Sequence, residues 1–350
     1  MKRLIIAACV AAVFTASSCT TMQKHKVVPE PKTKQEEVSL ETQAKNFYED
    51  GKYPEAIDNL RALLKKDPKN PKYWSQLGSA YAQINQLDYS IESFKNAIKY
   101  DPKNIKAMYN LSIVYGEKGN PTQAMKVAKQ ALKLQPKNPL LQASLGNSLI
   151  DTEDYKNAKK VYTNIVTAKP DFEVGHFNLG IINYKERNLD DAEKNYMEAL
   201  SLNGSDVDAR QNLSAIYILQ NKYEEAIQQL NEVIEMNPDD DITLENAYFN
   251  LGVANLRLQK YPQALKAFET AIDIEPWDMA AYVNAAIIAE ELGQNEKAIK
   301  YWTRYDRLLP VNKRKKEIKA KLKQLGAKTE PETSSAPVTG AVKPASEVNK

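Results

Sequence analysis

Cysteine and histidine are nearly missing from this chain, with two of each in 350 residues. Cys9 and Cys19 make no CxxC pair and no disulfide framework. With only His25 and His176 beside them, a zinc site has too few ligands. Charge of one sign is also missing: 48 basic residues face 45 acidic ones, for a net charge of +3. That balance supplies no general pull toward nucleic acid. There is no GxGxxG, GxxxxGK[ST], GxSxG or HExxH, so no catalytic residues, metal ligands, cofactor or small-molecule substrate are expected. Asp239-Asp240-Asp241 lacks the alternating ligands of a calcium loop and reads as a cap on the helix that follows. Other glutamates and lysines read as i,i+4 pairs on exposed helix faces.

One apolar run stands out, the eleven residues Leu4 to Phe14 after Lys2 and Arg3. As a helix it rises only about 16 Å, against about 30 Å of hydrocarbon, so it is not a membrane span. A positive start, a short apolar stretch and the small residues Ala16-Ser17-Ser18 make a secretory signal over residues 1–18. The segment resembles a bacterial lipoprotein signal, with Ala16-Ser17-Ser18-Cys19 at the lipid box and Ala16 in place of the usual leucine. The resemblance implies a covalent diacylglycerol or acyl lipid on Cys19 and a membrane anchor on the bacterial cell envelope. Thr20 in place of Asp favours the periplasmic face of the outer membrane if the cell is Gram-negative. Ordinary cleavage nearby, leaving a free cysteine or none, is the alternative. Residues 19–36 read as a flexible tether, and 326–350 as a disordered tail without apolar periodicity.

Between them the chain repeats. Trp74-Ser-Gln-Leu-Gly-Ser-Ala-Tyr81 returns 34 residues later as Met108-Tyr-Asn-Leu-Ser-Ile-Val-Tyr115, and again as Tyr248-Phe-Asn-Leu-Gly-Val-Ala-Asn255. Eight units fit: 37–70, 71–104, 105–138, 139–172, 173–206, 207–240, 245–278 and 279–312, with an insertion from Asp241 to Leu244. Small residues recur at position 8 (Gly78, Gly146, Gly180, Gly252) and position 20 (Ala56, Ala124, Ala158, Ala226), where two helices must approach closely. Proline closes most units, as at Pro68, Pro102 and Pro136. His176, at a helix-packing position, reads as structural. Residues 313–325 place Ile318, Leu322 and Leu325 on one face. They read as a basic capping helix, or as a basic surface for anionic lipid or an acidic partner.

This 34-residue period is the tetratricopeptide spacing, and the chain resembles bacterial tetratricopeptide lipoproteins. The expected fold is all-α: a right-handed α-solenoid of about eight helix-turn-helix units over 37–312, plus the capping helix. The resemblance implies that the first helix of each unit lines a concave groove through positions 2, 5, 6, 9, 12 and 13. Position 6 reads Gln76, Asn110, Ser144, Asn178, Asn212, Asn250 and Asn284. A carboxamide both donates and accepts, so one per unit suits an extended peptide backbone. The column is similar to the asparagine ladder of superhelical repeats that feed protein glycosyltransferases; Asn at this position is also common in the family consensus. Tyr109, Phe177 and Phe249 at position 5 and Tyr184 at position 12 add an aromatic lining. The basic clamp that grips a terminal carboxylate is absent beyond Lys72 and Lys106. The expected role is non-catalytic: a membrane-anchored envelope scaffold that binds partner proteins or extended peptides, in envelope complex assembly. The alternatives are an accessory subunit of an envelope enzyme or transporter in cell-wall metabolism, and a chaperone-like adaptor.

Overall fold

Most repeats start on a side-chain cap, though the helix that follows Phe172 has none. Asn70, Asn104 and Asn138 accept hydrogen bonds from backbone N–H groups of the first turn that follows, as do Asp206 and Asp278. A free donor at a helix start is thereby satisfied. In the computed structural model, residues 32–236, 241–310 and 316–327 are described. Cys19, the signal segment, Asp239, Asp240 and the tail beyond 327 lie outside them. The helices run in pairs: α1 Lys34–Glu49 and α2 Tyr53–Lys66, α3 Pro71–Gln83 and α4 Leu87–Tyr100, α5 Ile105–Glu117 and α6 Pro121–Leu134. Next come α7 Pro139–Asp151 and α8 Tyr155–Ala168, α9 Glu173–Lys185 and α10 Leu189–Leu202, α11 Val207–Leu219 and α12 Tyr223–Met236. The last are α13 Asp241–Arg257 and α14 Tyr261–Ile274, α15 Met279–Glu291 and α16 Asn295–Leu308, and α17 Lys316–Gln324. The fold is an all-α repeat solenoid, and the described helices fall into two compact bodies, α1–α12 and α13–α17.

The turn inside every repeat uses one device. Position 15 is left-handed in all eight: Gly51, Asn85, Gly119, Glu153, Arg187, Asn221, Gln259 and Gly293 have φ between 55° and 74°. The residue after it donates back into the first helix, as Gln86 N–H does to Tyr81 O at 2.9 Å. This closes the helix end and reverses the chain. Only three of the eight are glycine, which hides the column in the sequence.

Within a repeat, position 8 of the first helix meets position 24 of the second. A Cβ at Gly146 lies 2.5 Å from the Tyr162 ring, and one at Gly180 lies 2.7 Å from the Tyr196 ring. Both tyrosines are buried. Where position 8 is serine, position 24 is smaller: Ser112 goes with Ala128 and Ser214 with Leu230. In these repeats volume is exchanged across the helix pair, as close packing demands; the last repeat, with Ala286 and Trp302, departs from the rule.

Two differences from the sequence reading have clear causes. α1 starts at Lys34, inside the segment read as tether. Thr33 Oγ1 accepts from Glu36 N–H, and Glu36 returns a carboxylate to the Thr33 N–H, a capping box. The charges do not mainly form i,i+4 pairs; among the described residues only Lys45–Glu49 does so. Lys72–Glu41, Lys118–Asp88, Lys159–Glu186, Lys222–Glu193 and Lys297–Glu269 each bridge consecutive repeats, while Lys66–Glu37 joins the two helices of the first. Within each body consecutive repeats pack on one another, which brings their basic and acidic side chains within reach.

The insertion Asp241–Leu244 lengthens α13 to 17 residues, against 13 for α15. Four residues are about one turn, so the apolar face keeps its direction. At the far end α17 packs on α16: Ile318 is buried, and Lys321 lies 3.1 Å from Glu290 and 5.2 Å over the Trp302 ring.

Candidate functional site

In the body α1–α12, α3 packs on α5, α5 on α7 and α7 on α9. No two successive second helices make a contact of that extent among the described residues. First helices therefore form the inner row and second helices the outer one. Tyr109, Asn110, Phe177, Asn178, Tyr184 and Asn212 all stand on the inner row of this body. Asn250, Phe249 and Asn284 stand on the first helices of the other body. The candidate ladder is thus two sets. Cys19 lies outside the described residues.

The amides are partly engaged. Asn178 is 8% exposed, and its Nδ2 donates to Val174 O at 2.8 Å. Asn284 donates in the same way to Ala280 O at 3.0 Å, and Asn110 to Ser79 Oγ of the preceding repeat at 3.4 Å. Asn212 and Asn250 are half-buried. At the imperfect rungs, Ser144 Oγ lies 2.6 Å from Ser112 Oγ, and Gln76 has a buried Oε1 with no partner. With its nitrogen held by a turn of its own helix, an asparagine presents the carboxamide oxygen. That end accepts N–H groups.

The aromatic residues are braced from behind. Phe177 meets Tyr196 edge-on at 5.9 Å, and Phe249 meets Phe268 at 5.4 Å. The braces are the same position-24 rings that lie over position 8, so core packing fixes the ring that faces outward. Tyr109 packs against the cluster around Met108 and Leu111. Beside these rings Ile113, Leu140 and Val174 stay exposed on the inner helices, Leu140 to 48%. Leu140 and Phe172 also line a cleft of about 740 Å³ with Pro136, Pro139 and Lys169.

Two carboxyl pairs occupy equivalent places. Glu173 hydrogen-bonds Asp206, the cap of α11, and Glu245 does the same with Asp278, the cap of α15. Burial, then the neighbouring carboxylate, pushes each glutamate up to about 7. A proton shared between two close carboxyls relieves their repulsion.

One recurrent contact was not read from the sequence. Trp74 Nε1 donates to Pro68 O at 2.8 Å, Gln142 Nε2 to Pro136 O at 2.9 Å and Arg210 Nη2 to Gly204 O at 2.8 Å. His176 Nε2 lies 2.9 Å from Pro170 O in the same register. These four position-4 residues share only an N–H that reaches six residues back. Among the described residues no cluster of three His, Cys, Asp or Glu side chains is placed to hold a metal, and no helix is long and apolar enough to cross a membrane.

Against known proteins, the model for the cytochrome c-type biogenesis protein H TPR domain matches residues 57–171. Tetratricopeptide repeat models match 39–70, 183–245 and 245–278, so repeat models take in more than half of the chain. The chain belongs to the tetratricopeptide repeat family. It is 26% identical over 147 residues to human Protein O-mannosyl-transferase TMTC3, covering 41% of this chain and 16% of that one. It is 23% identical over 274 residues to TPR repeat-containing protein MJ1428 of Methanocaldococcus jannaschii, covering 74% and 42%. The chain thus spans less than half the length of these curated relatives. A tetratricopeptide repeat protein from Parabacteroides merdae superposes with a TM-score of 0.57 at 18% identity, over 73% of this chain and 99% of that one. Pseudomonas aeruginosa pilF gives 0.52 at 16% identity, over 60% and 94%. These likenesses are of fold. As a tetratricopeptide repeat protein the chain is a scaffold for protein–protein interaction.

Proposed function

We propose that the inner row of α3–α11 holds an extended segment of a partner protein, as a non-catalytic scaffold at the bacterial cell envelope. The observation that carries this is the inner row itself. Asn110, Asn178 and Asn212 recur on it at one register, beside the braced Phe177 and the exposed Ile113, Leu140 and Val174. Amide oxygens take the N–H groups of the segment, and the apolar positions take its side chains. The match to the cytochrome c-type biogenesis protein H TPR domain supports the envelope setting. So does the signal-like start with Cys19 as lipid attachment point. The acyl chain would tie the scaffold to the membrane while residues 20–33 give it reach.

Co-purification from detergent-solubilised membranes tests this reading. Three backbone hydrogen bonds at about 0.5–1.5 kcal/mol each make the triple change Asn110→Ala, Asn178→Ala, Asn212→Ala cost at least about tenfold in capture. Helical content should stay near that of the unaltered protein. Undiminished capture by the triple variant would show that the asparagines are packing residues only. A single stoichiometric partner fits an assembly scaffold, one captured enzyme an accessory subunit, and many weak clients a chaperone-like adaptor.

A further inference from the structure

The outer helices of the body α1–α12 are sorted by charge. Along α6 stand Lys126, Lys129 and Lys133, and along α8 Lys156, Lys159 and Lys160, with no carboxylate on either helix. α10 carries Asp190, Asp191, Glu193 and Glu198 against Lys194 alone, and α12 carries Glu224, Glu225, Glu232 and Glu235 with no basic residue. Part of this charge is used inside the fold: Lys159 pairs with Glu186, Glu193 with Lys222 and Glu232 with Arg210, and Asp190 accepts from Gln220. What remains is balanced. Lys126, Lys129, Lys133, Lys156 and Lys160 are exposed, and none is within ion-pair distance of a carboxylate among the described residues. Asp191, Glu198, Glu224, Glu225 and Glu235 are exposed and equally without a cation. The nearest acids in sequence to the basic half are Asp151, the last residue of α7, and Glu153 and Asp154 in the turn before α8. Exposed apolar residues lie in both halves, Leu134 in the basic one, and Met197 and Met236 in the acidic one.

We propose that this outer face is a docking surface for a second copy of the chain, the α6–α8 half of each copy against the α10–α12 half of the other. A two-fold axis between α8 and α10 places both basic halves on acidic halves at once, the self-complementary arrangement that closes a dimer. Charge complementarity selects this occupant. An anionic membrane laid on the same face would meet eight carboxylates as well as seven lysines, and would gain little in net. An acidic partner protein satisfies one half and leaves the other bare. The second copy satisfies both, with Leu134, Met197 and Met236 available as apolar contacts within a charged surround. The inner row stays open to its own partner.

Sedimentation velocity on the full chain tests the proposal. Exposed pairs are screened by salt, so the dimer should form at about 50 mM NaCl and weaken about tenfold or more at about 500 mM. The variant Lys126→Glu, Lys129→Glu, Lys160→Glu has two acidic halves and should be monomeric. The variant Asp191→Lys, Glu224→Lys, Glu225→Lys has two basic halves and should also be monomeric. Mixed in equal amounts, the two should restore a salt-sensitive dimer. All six changes are on exposed positions, and circular dichroism should read the same helicity for every protein. Unaltered protein that stays monomeric at low salt up to about 100 μM overturns the proposal, and so does a mixture that stays monomeric. Monomeric protein that binds phosphatidylserine vesicles through these lysines assigns the basic half to lipid and overturns it as well.

Discussion

Alanine at Gly146 adds one methyl group where the structure has no room for it. Its Cβ would lie 2.5 Å from Cε2 and 2.7 Å from Cζ of Tyr162. The ring cannot step back freely, because Tyr162 is fully buried and its hydroxyl donates to Ala143 O at 3.0 Å and to Asn147 Oδ1. Overpacking of this kind costs about 1–3 kcal/mol, and loss of the hydroxyl bond about 1 kcal/mol more. Against this, alanine is the better helix former by about 1 kcal/mol. The net expectation for Gly146→Ala is a loss of about 1–3 kcal/mol. Gly116 is the control: it is helical, and a Cβ there meets nothing within 4 Å. Gly116→Ala should therefore stabilise by about 0.5–1 kcal/mol, the opposite sign. The assay is a guanidinium titration followed by far-ultraviolet circular dichroism. Repeat arrays can unfold piecewise, so the difference between the two variants is the quantity to compare. Copying the pair of the sixth repeat through Gly146→Ser with Tyr162→Leu should lose less than the two single changes together. If Gly146→Ala stabilises as Gly116→Ala does, the exchange of volume between positions 8 and 24 is wrong.

Three further outcomes follow from the same structure. Glu173 and Glu245 are raised to about 7 in the folded chain from an ordinary 4.5. The native state therefore binds more protons than the unfolded one in that window, and their contribution to stability falls as pH rises from about 4.5 to about 7. Glu173→Gln with Glu245→Gln should flatten the change in denaturant midpoint between acidic and neutral pH, and an unchanged profile would exclude the shared proton. Arg187 holds φ at 66°, so Arg187→Gly should stabilise by about 0.5–1 kcal/mol in the same titration, after the unfolded-state entropy of glycine offsets part of the relief. Cys19→Ser should move the protein from the membrane pellet to the supernatant, and an undiminished pellet would rule out lipid attachment there.

The 34-residue period was legible because one helix pair cannot bury its apolar face alone, so the same small and large residues must return in every repeat. The capping box Thr33–Glu36 is equally visible in the sequence, but the prolines and charges around it mask it. Position 15 was hidden for a different reason. A left-handed turn that closes each helix pair holds even Glu153 and Gln259 in it, so the residue type does not announce the conformation. Ion pairs such as Lys118–Asp88 depend on the distance between successive repeats, which no spacing along one helix encodes. The ladder was legible as a column of asparagines. That Asn178 and Asn284 tie their nitrogens to their own helices was not, because the competing acceptor is the backbone itself.

Site-specific photocrosslinking in cells would test the inner row most directly. A benzophenone side chain at Tyr109 or Phe177, both half-buried on the inner row, is set against one at Met197, 51% exposed on the outer row. A partner segment held in the inner row predicts crosslinks from Tyr109 and Phe177 to a polypeptide other than this chain, lost when Asn110, Asn178 and Asn212 are alanine. Crosslinks to that polypeptide from Met197 alone, with none from the inner positions, would contradict it.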